Sequence, residues 1–127
     1  MGFLSRFTGA GQLTPAAAAA GAADGTLVLV DVRETGEFTA GHAPQARHMP
    51  LGQLAAGLDG LRDEGRPVAF VCHSGARSAR ATRQARAAGI DARNVRGGMA
   101  AWGRAGLPTA TGDGGPRRRG RRDPPSR

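Results

Sequence analysis

The sequence predicts an α/β domain in which a central parallel β-sheet is flanked by helices on both sides. Short apolar runs alternate along the chain with alanine-rich or leucine-rich stretches, and glycine, proline or polar residues separate them. The two clearest runs, residues 26–30 and 67–71, contain no charged side chain, which is typical of strands buried on both faces. This alternation favours a parallel sheet, because parallel strands must be joined by crossover connections.

The predicted elements follow in the order helix, strand, helical turn, strand, helix, strand, helix, strand, helix, over residues 15–20, 26–30, 34–38, 46–49, 51–61, 67–71, 78–88, 92–95 and 98–102. The first helix has Thr14 as its N-cap and Pro15 at its first position, and Gly21 with Gly25 is expected to end it. The first strand is a continuous β-favouring run, and Pro50 stops the short second strand.

The later elements are indicated by leucine spacing and by helix formers. Leucines at intervals of three, four and three mark one face of an amphipathic helix, at Leu51, Leu54, Leu58 and Leu61. The stretch 78–88 is rich in alanine and arginine, and Gly89 is a typical C-cap. Residues 92–95 form a weaker strand candidate, after which Gly97 and Gly98 open the last short helix.

Length and composition predict one small domain between two tails. The chain has 127 residues, enough for one modest core, and we expect the domain to span residues 10–111. An N-terminal extension precedes it at residues 1–9. An Arg/Pro/Gly-rich tail follows it at residues 112–127, and the lack of apolar side chains there predicts disorder.

The net charge of +8 would suit an acidic partner, so its position in the chain matters. Half of it lies on residues 113–127, where six arginines outnumber two aspartates. A tail without aromatic residues predicts at most sequence-independent binding. A further set of arginines spreads around the predicted helix as a solvated face, at Arg77, Arg80, Arg83 and Arg86. We therefore do not expect nucleic acid as a partner.

Cysteine usage and the N-terminal sequence predict a cytoplasmic protein, and we expect it to be a monomer. One cysteine allows neither an internal disulfide nor a CxxC metal or redox pair. The N-terminus has no uninterrupted apolar segment of the kind found in secretory signals, and no stretch is long enough to span a membrane. We also expect no metal and no cofactor.

The single cysteine, Cys72, lies where the strand at 67–71 ends, the place where ligands bind to parallel sheets. A free thiol has a pKa of about 8.5, so a nucleophilic cysteine needs surroundings that favour the thiolate. Here a curved glycine loop, a helix start and a guanidinium follow it, although a buried and inert cysteine is the alternative. We predict Cys72 as the catalytic residue, with substrate bound by His73, Ser74, Gly75, Ala76, Arg77 and Ser78.

The segment 72–78, with the sequence CHSGARS, resembles the active-site loop of rhodanese-like sulfurtransferases, written CxxGxR and followed by Ser or Thr. Three more segments agree in order and spacing with the family. They are LVDVRE with EF and GHAP, then HMPL, then GGM with a tryptophan, at residues 29–34 with 37–38 and 41–44, 48–51, and 97–99 with 102. The resemblance implies the rhodanese-like fold for nearly the whole foldable part of the chain.

The resemblance also implies persulfide chemistry without a cofactor. Cys72 would take a sulfane sulfur from a small donor such as thiosulfate and pass it to cyanide or to a thiol acceptor. Arg77 would orient the oxyanion end of the donor and offset charge on departing sulfite. Because the chain has no second cysteine, the acceptor must be another molecule.

Two alternatives stay open at this point. Phosphatases and arsenate reductases on the same fold hold a tetrahedral oxyanion in a Cys-x5-Arg loop, but four residues separate Cys72 from Arg77 here. A non-catalytic relay or binding module, which presents a Cys72 persulfide to a protein partner, would have the same loop sequence.

Four other polar residues are expected to have structural roles. Asp31 and Arg33 follow a strand end and look catalytic in isolation, but in the resembling family they mainly hold the fold together. His42 and His48 have no further ligand at metal-binding spacing, so we expect them to shape turns.

Overall fold

A computed structural model of the protein describes the backbone of residues 7–8 and the whole of residues 11–113. The strands are β1 (Phe7–Thr8), β2 (Gln12–Leu13), β3 (Val28–Asp31), β4 (Arg47–His48), β5 (Val68–Val71) and β6 (Ala92–Val95). The helices are α1 (Pro15–Asp24), α2 (Thr35–Ala40), α3 (Leu54–Asp63), α4 (Ala76–Ala87) and α5 (Gly98–Arg104). A 3₁₀ turn at Leu51–Gln53 leads into α3.

The strands form one sheet in the order β1-β2-β6-β5-β3-β4. Among the described strands, β2 to β6 pair with one another in parallel, and β1 pairs with β2 in the antiparallel direction. The predicted α/β class with a parallel sheet is therefore confirmed. The strands β1 and β2 were not predicted, because two-residue strands are too short to show a periodic pattern.

Helices cover both faces of this sheet, which explains why the central strand β5 is apolar at every position. On one face α3 and α4 pack against alternate strand residues, including Val28, Val30, Val68, Phe70 and Ala92. On the other face α1, α2 and α5 pack against Leu27, Leu29, Ala69, Val71 and Val95. All four residues of β5 are buried, so the position that follows it is held between two packed layers.

Every helix differs from its predicted bounds by a few residues, and the differences in α1 and α4 bear on packing and on the cysteine loop. The helix α1 continues past Gly21 and ends at Gly25, which has φ of 80°. Gly21 is needed for packing, since a Cβ there would lie 2.6 Å from a methyl carbon of Leu27. The helix α4 begins at Ala76, two residues before the predicted start at Ser78. The first turn of α4 is therefore part of the loop that follows Cys72.

A buried ion pair holds the end of β3. The Arg33 guanidinium donates from Nε and Nη2 to the Asp31 carboxylate at 2.8 to 3.1 Å, and Nη2 also donates to the carbonyl oxygen of Gly41. Asp31 is fully buried and Arg33 is 6 % exposed. The two charges therefore join the end of β3 to the end of α2, away from solvent.

The two histidines of this region stack on the ring of Phe38, with ring centroids 3.8 Å away for His42 and 4.4 Å away for His48. His42 Nδ1 lies 2.7 Å from the carbonyl oxygen of Phe38, and His48 Nε2 lies 2.8 Å from that of Arg33. Both rings thus pack and hydrogen-bond within the turns that connect α2 to β4.

The described chain ends beside α2. Backbone hydrogen bonds of 2.9 and 2.8 Å join His42 and Ala110, and the indole N–H of Trp102 donates to the carbonyl oxygen of Pro108. The predicted disordered tail lies outside the described residues from residue 114 onward, as does most of the predicted extension at 1–9. None of the helices in the described ranges has the length and apolar character required to cross a bilayer.

Candidate active site

Cys72 directly follows β5, at the carboxyl edge of the sheet, and the residue is 1 % exposed. Its backbone is held by the start of α5. The N–H of Met99 donates to the carbonyl oxygen of Cys72 at 2.8 Å, and the N–H of Ala100 donates to that of His73 at 3.0 Å. The free N–H groups at a helix N-terminus thus fix the first two residues of the loop.

Gly98 allows this approach. It has φ of 60°, and a Cβ at this position would lie 2.4 Å from the carbonyl oxygens of both Cys72 and His73. A side chain therefore cannot be accommodated without moving the loop. The double glycine noted in the sequence brings α5 into contact with the cysteine loop.

The Cys72 sulfur receives two hydrogen bonds from the loop and the first turn of α4. The N–H of Gly75 lies 3.1 Å from Sγ, and the hydroxyl of Ser78 lies 3.3 Å from it. Gly75 has φ of 119°, a conformation that L side chains rarely adopt, and this turns its N–H towards the sulfur. The loop is therefore shaped to support negative charge on Sγ.

Two opposing effects set the pKa of Cys72. Burial raises it, whereas hydrogen bonds from the Ser78 hydroxyl and from the backbone N–H groups of Ser78, Gly75 and Ser74 lower it. The hydrogen bonds outweigh burial, so the pKa of Cys72 lies below the ordinary value of a thiol. The thiolate, which is the nucleophilic form, is accordingly favoured.

Asn94 of β6 completes the hydrogen-bonded group behind the sulfur. Its Oδ1 accepts a 2.6 Å hydrogen bond from the Ser78 hydroxyl, and its Nδ2 donates at 3.4 Å to the carbonyl oxygen of Gly75. Sequence reasoning missed this residue. The available signal was a polar amide within a predicted strand, and the structure shows it to be only 8 % exposed.

Arg77 is paired with Glu37, for which sequence reasoning proposed no role. Its Nη1 and Nη2 lie 2.7 and 2.9 Å from the two carboxylate oxygens of Glu37 in α2. These hydrogen bonds lower the pKa of Glu37 to about 2 and raise the pKa of Arg77 further. The guanidinium is thus held in one place, and its other N–H groups are not used by this pair.

The predicted substrate-binding residues differ in their exposure. His73, Ser74 and Ala76 are exposed, Gly75 is half-buried, and Ser78 is fully buried beneath them. Further along α4, Arg80 and Arg83 are exposed as expected, whereas the Arg86 guanidinium donates from Nε to the carbonyl oxygen of Ala92 at 2.9 Å. The structure thus holds a buried thiol beneath an exposed stretch of loop, with two hydrogen-bond donors directed at its sulfur.

Comparison with known families agrees with this geometry. The model of the rhodanese-like domain matches residues 14–105, which include every described helix and strand from α1 to α5. The chain belongs to the rhodanese-like domain family. Within the family, Cys72 occupies the loop that sequence reasoning had compared with CxxGxR.

The relatives of this rhodanese-like chain include sulfurtransferases. YtwF of Bacillus subtilis, named as a candidate sulfurtransferase, is 39% identical over 80 residues, which cover 63% of the chain and 77% of YtwF. A sulfurtransferase of Allochromatium vinosum is 34% identical over 89 residues, covering 69% and 82% of the two chains. A rhodanese-related protein from Thermoplasma volcanium has the same fold, with a TM-score of 0.72, 24% identity, and coverage of 80% and 98%. The chain is therefore of sulfurtransferase type.

Two further matches carry other names. YrkF of Bacillus subtilis, named as a candidate sulfur carrier protein, is 36% identical over 80 residues, which cover 62% of the chain but only 43% of YrkF. RPA3614 of Rhodopseudomonas palustris, named as a possible tyrosine phosphatase, has a TM-score of 0.72 and 30% identity, covering 78% of the chain and 83% of RPA3614. These names define the alternatives that an experiment must separate.

Proposed function

We propose that this rhodanese-like protein is a sulfurtransferase that moves a sulfane sulfur from a thiosulfate-like donor to cyanide or a thiol through a persulfide on Cys72. The observation that carries the proposal is the hydrogen bonding of Sγ by the Gly75 N–H and the Ser78 hydroxyl. Donors to Sγ support the thiolate that attacks the sulfur donor, and they support the same thiolate when it is released in the second half-reaction.

The first half-reaction begins with the Cys72 thiolate. Its electron pair attacks the outer sulfur of thiosulfate, a new S–S bond forms, and the S–S bond of the donor breaks. Sulfite leaves with the electron pair of that bond, and Cys72 becomes a persulfide anion. The N–H groups at the start of α4 stabilise this anion, because they face the loop without partners inside the helix.

In the second half-reaction the acceptor attacks the outer sulfur. Cyanide forms a carbon–sulfur bond and leaves as thiocyanate, or a thiolate acceptor takes the sulfur and becomes a persulfide. In either case the electron pair of the broken S–S bond returns to Cys72, which restores the thiolate. Each half-reaction needs only the donor or the acceptor, as in other covalent two-step mechanisms.

Arg77 would act on the oxyanion end of the donor. Glu37 uses one face of the guanidinium, through Nη1 and Nη2. Arg77 is the arginine nearest to Cys72 in sequence, so its remaining N–H groups are the charged donors best placed for this role. The ion pair with Glu37 restricts their direction. Glu37 would therefore serve the reaction by holding Arg77.

Intact-mass measurement tests the proposal directly. The protein is incubated with thiosulfate, and its mass is recorded before and after cyanide. We expect a gain of about 32 Da, the mass of one sulfur atom bound covalently, which cyanide removes and which Cys72→Ser lacks. No gain together with turnover of an aryl phosphate would instead support a phosphatase, as the name of RPA3614 suggests for that protein.

A sulfur relay is the second candidate, and two observations favour it. The chain has no second cysteine, so the outer sulfur must leave for another molecule. One relative of the chain is named as a candidate sulfur carrier protein. If thiosulfate adds no mass but a cysteine desulfurase with cysteine does, the relay is supported and thiosulfate is excluded as the donor.

A further inference from the structure

The hydroxyl of Ser78 has more acceptors within reach than it has protons. Its Oγ lies 2.6 Å from Asn94 Oδ1, 3.3 Å from Cys72 Sγ and 3.3 Å from the carbonyl oxygen of Gly75. A serine hydroxyl carries one proton and can donate one strong hydrogen bond. The contact with Asn94 is the shortest, so Asn94 Oδ1 competes with the sulfur for this proton and weakens the hydrogen bond from Ser78 to Sγ.

This competition reduces the support that the Ser78 hydroxyl gives to a thiolate on Cys72. A thiol can donate its own S–H to Ser78 Oγ, whereas a thiolate can only accept. Ser78 is fully buried, Cys72 is 1 % exposed and Asn94 is 8 % exposed. A missing hydrogen bond therefore costs more here than it would at the surface.

A half-turn of the Asn94 amide removes the conflict. The amide is planar with two ends of similar size, so rotation exchanges Oδ1 and Nδ2 with little change in packing. After rotation Nδ2–H donates to Ser78 Oγ, and the Ser78 proton is free to point to Cys72 Sγ. The rotation gives up the 3.4 Å contact with the Gly75 oxygen and brings Oδ1 to face that oxygen instead, a cost that the hydrogen bond to the thiolate offsets; the Gly75 oxygen keeps the 3.0 Å hydrogen bond from the N–H of Ala79.

We propose that the Asn94 side-chain amide is a two-position hydrogen-bond relay that releases the Ser78 hydroxyl to Cys72 when Cys72 becomes an anion. In the thiol state Ser78 donates to Asn94 Oδ1. When the S–H proton leaves for solvent, the amide turns, Nδ2 donates to Ser78, and Ser78 donates to Sγ. Asn94 is thus a positioning residue, because it acts on the sulfur through Ser78.

The catalytic meaning of this relay rests on the proposed sulfur transfer. Once an outer sulfur is attached, the negative charge moves from Sγ to that sulfur, and the hydrogen bond from Ser78 to Sγ loses its partner charge. The Asn94 amide then returns to the first position. The amide should therefore change its position twice in each turnover.

The chain has one cysteine, so the pH dependence of alkylation by iodoacetamide reports Cys72 alone. Asn94→Leu has a similar volume and no amide, and it should raise the pKa of Cys72 by about half a unit to one unit, equivalent to one hydrogen bond. Asn94→Asp provides a carboxylate that only accepts, and it should raise the pKa further. In a Ser78→Ala background, Asn94→Leu should have no additional effect.

Thr82→Val is the matched control. Thr82 is buried in α4, and its hydroxyl donates at 2.8 Å to the backbone carbonyl oxygen of Ser78. This variant removes a buried hydrogen bond next to the relay without changing a donor or acceptor of the Ser78 side chain. The pKa of Cys72 should remain that of the wild type.

A second measurement follows the amide itself. The side-chain NH₂ signals of Asn94 in a ¹⁵N NMR spectrum, assigned by their loss in Asn94→Leu or Asn94→Asp, should shift with the titration of Cys72 and stay constant in Cys72→Ser. The proposal is overturned if they do not shift in the wild type, or if folded Asn94→Leu has the wild-type pKa. It is also overturned if the effects of Asn94→Leu and Ser78→Ala are additive. If the Asn94 signals follow the titration of Cys72 but thiosulfate adds no sulfur to the protein, the relay is supported and only the proposed function is overturned.

Discussion

Arg77 and Glu37 are forty positions apart in the chain and form a two-point ion pair beside the Cys72 loop, at 2.7 and 2.9 Å. The parallel sheet brings them together, because the loop after β5 and the helix after β3 start from neighbouring strands. Both side chains are about one third exposed. The pair is therefore less important as a source of stability than as a means of orienting the guanidinium.

Glu37→Gln should reduce the rate of sulfur transfer from thiosulfate. Loss of the carboxylate leaves Arg77 free to rotate, so we expect kcat/KM for thiosulfate to fall about 5- to 10-fold, mainly through KM. Steady-state thiocyanate formation measures this. Asp59→Asn, which removes an exposed ion pair with Arg62 on α3, is the control and should keep wild-type kinetics. Equal effects of the two substitutions would contradict the orienting role of Glu37.

The same pair predicts how stability depends on pH. The hydrogen bonds from Arg77 lower the pKa of Glu37 from 4.5 to about 2, so the folded state binds this proton less readily than the unfolded state. The pair therefore stabilises the fold above pH 4.5, and this contribution is lost as the pH falls from 4.5 towards 2.

Urea unfolding followed by Trp102 fluorescence can measure this dependence. The difference in unfolding free energy between the wild type and Glu37→Gln should be below about 1 kcal/mol, since the pair is partly solvated. It should be constant above about pH 5 and approach zero near pH 2. If this difference in unfolding free energy grows on acidification, the predicted loss of stabilisation by the pair at low pH is wrong.

Ser78→Ala should raise the pKa of Cys72. The hydroxyl is one of the groups that lower this pKa, and its removal leaves burial less opposed. We expect a rise of about half a unit to one unit in the pH profile of iodoacetamide alkylation. Ser74→Ala is the matched control because Ser74 acts through its backbone N–H, which the substitution keeps. A shift as large in the control would refute the assignment to the hydroxyl.

Gly98→Ala should destabilise the fold and the loop together. The new Cβ would meet two carbonyl oxygens at 2.4 Å, at a φ of 60°. We expect a loss of about 2 to 4 kcal/mol in unfolding free energy, from overpacking and from the left-handed backbone. Gly103→Ala lies in the same helix with open space around it, and should be neutral or stabilising by up to about 1 kcal/mol. Denaturant unfolding of both variants separates the effect of the steric contact on stability from the effect of the higher helix propensity of alanine.

Asp31→Asn should reduce stability without removing the chemistry. The substitution leaves the buried Arg33 guanidinium without its charge partner, which costs about 3 to 5 kcal/mol in comparable sites. Intact-mass measurement on the folded fraction should still show the sulfur adduct. Asp91→Asn, at an exposed ion pair with Arg93, should change stability by less than about 1 kcal/mol. A folded Asp31→Asn protein that forms no adduct would give Asp31 a direct role in the reaction.

The central strands and the loop of the candidate site were predictable because their signals are local. The run at 67–71 is apolar at every position, and β5 occupies Val68–Val71 within it. The helix after the loop was also predicted, although it starts two residues earlier at Ala76, where the backbone of Gly75 already turns into it. The strands β1 and β2 were missed, because each depends on pairing with a distant or equally short segment.

The sequence by itself determined the alternation of strands and helices, and it placed Cys72 at the end of a buried strand with four residues between it and Arg77. Local propensity and spacing are enough for both conclusions. Only the tertiary structure decided which side chains act on those two residues. Asn94 reaches Ser78 because β6 lies beside β5, and Glu37 reaches Arg77 because β3 lies on its other side. These contacts join distant parts of the chain, and a one-dimensional pattern contains no information about sheet order.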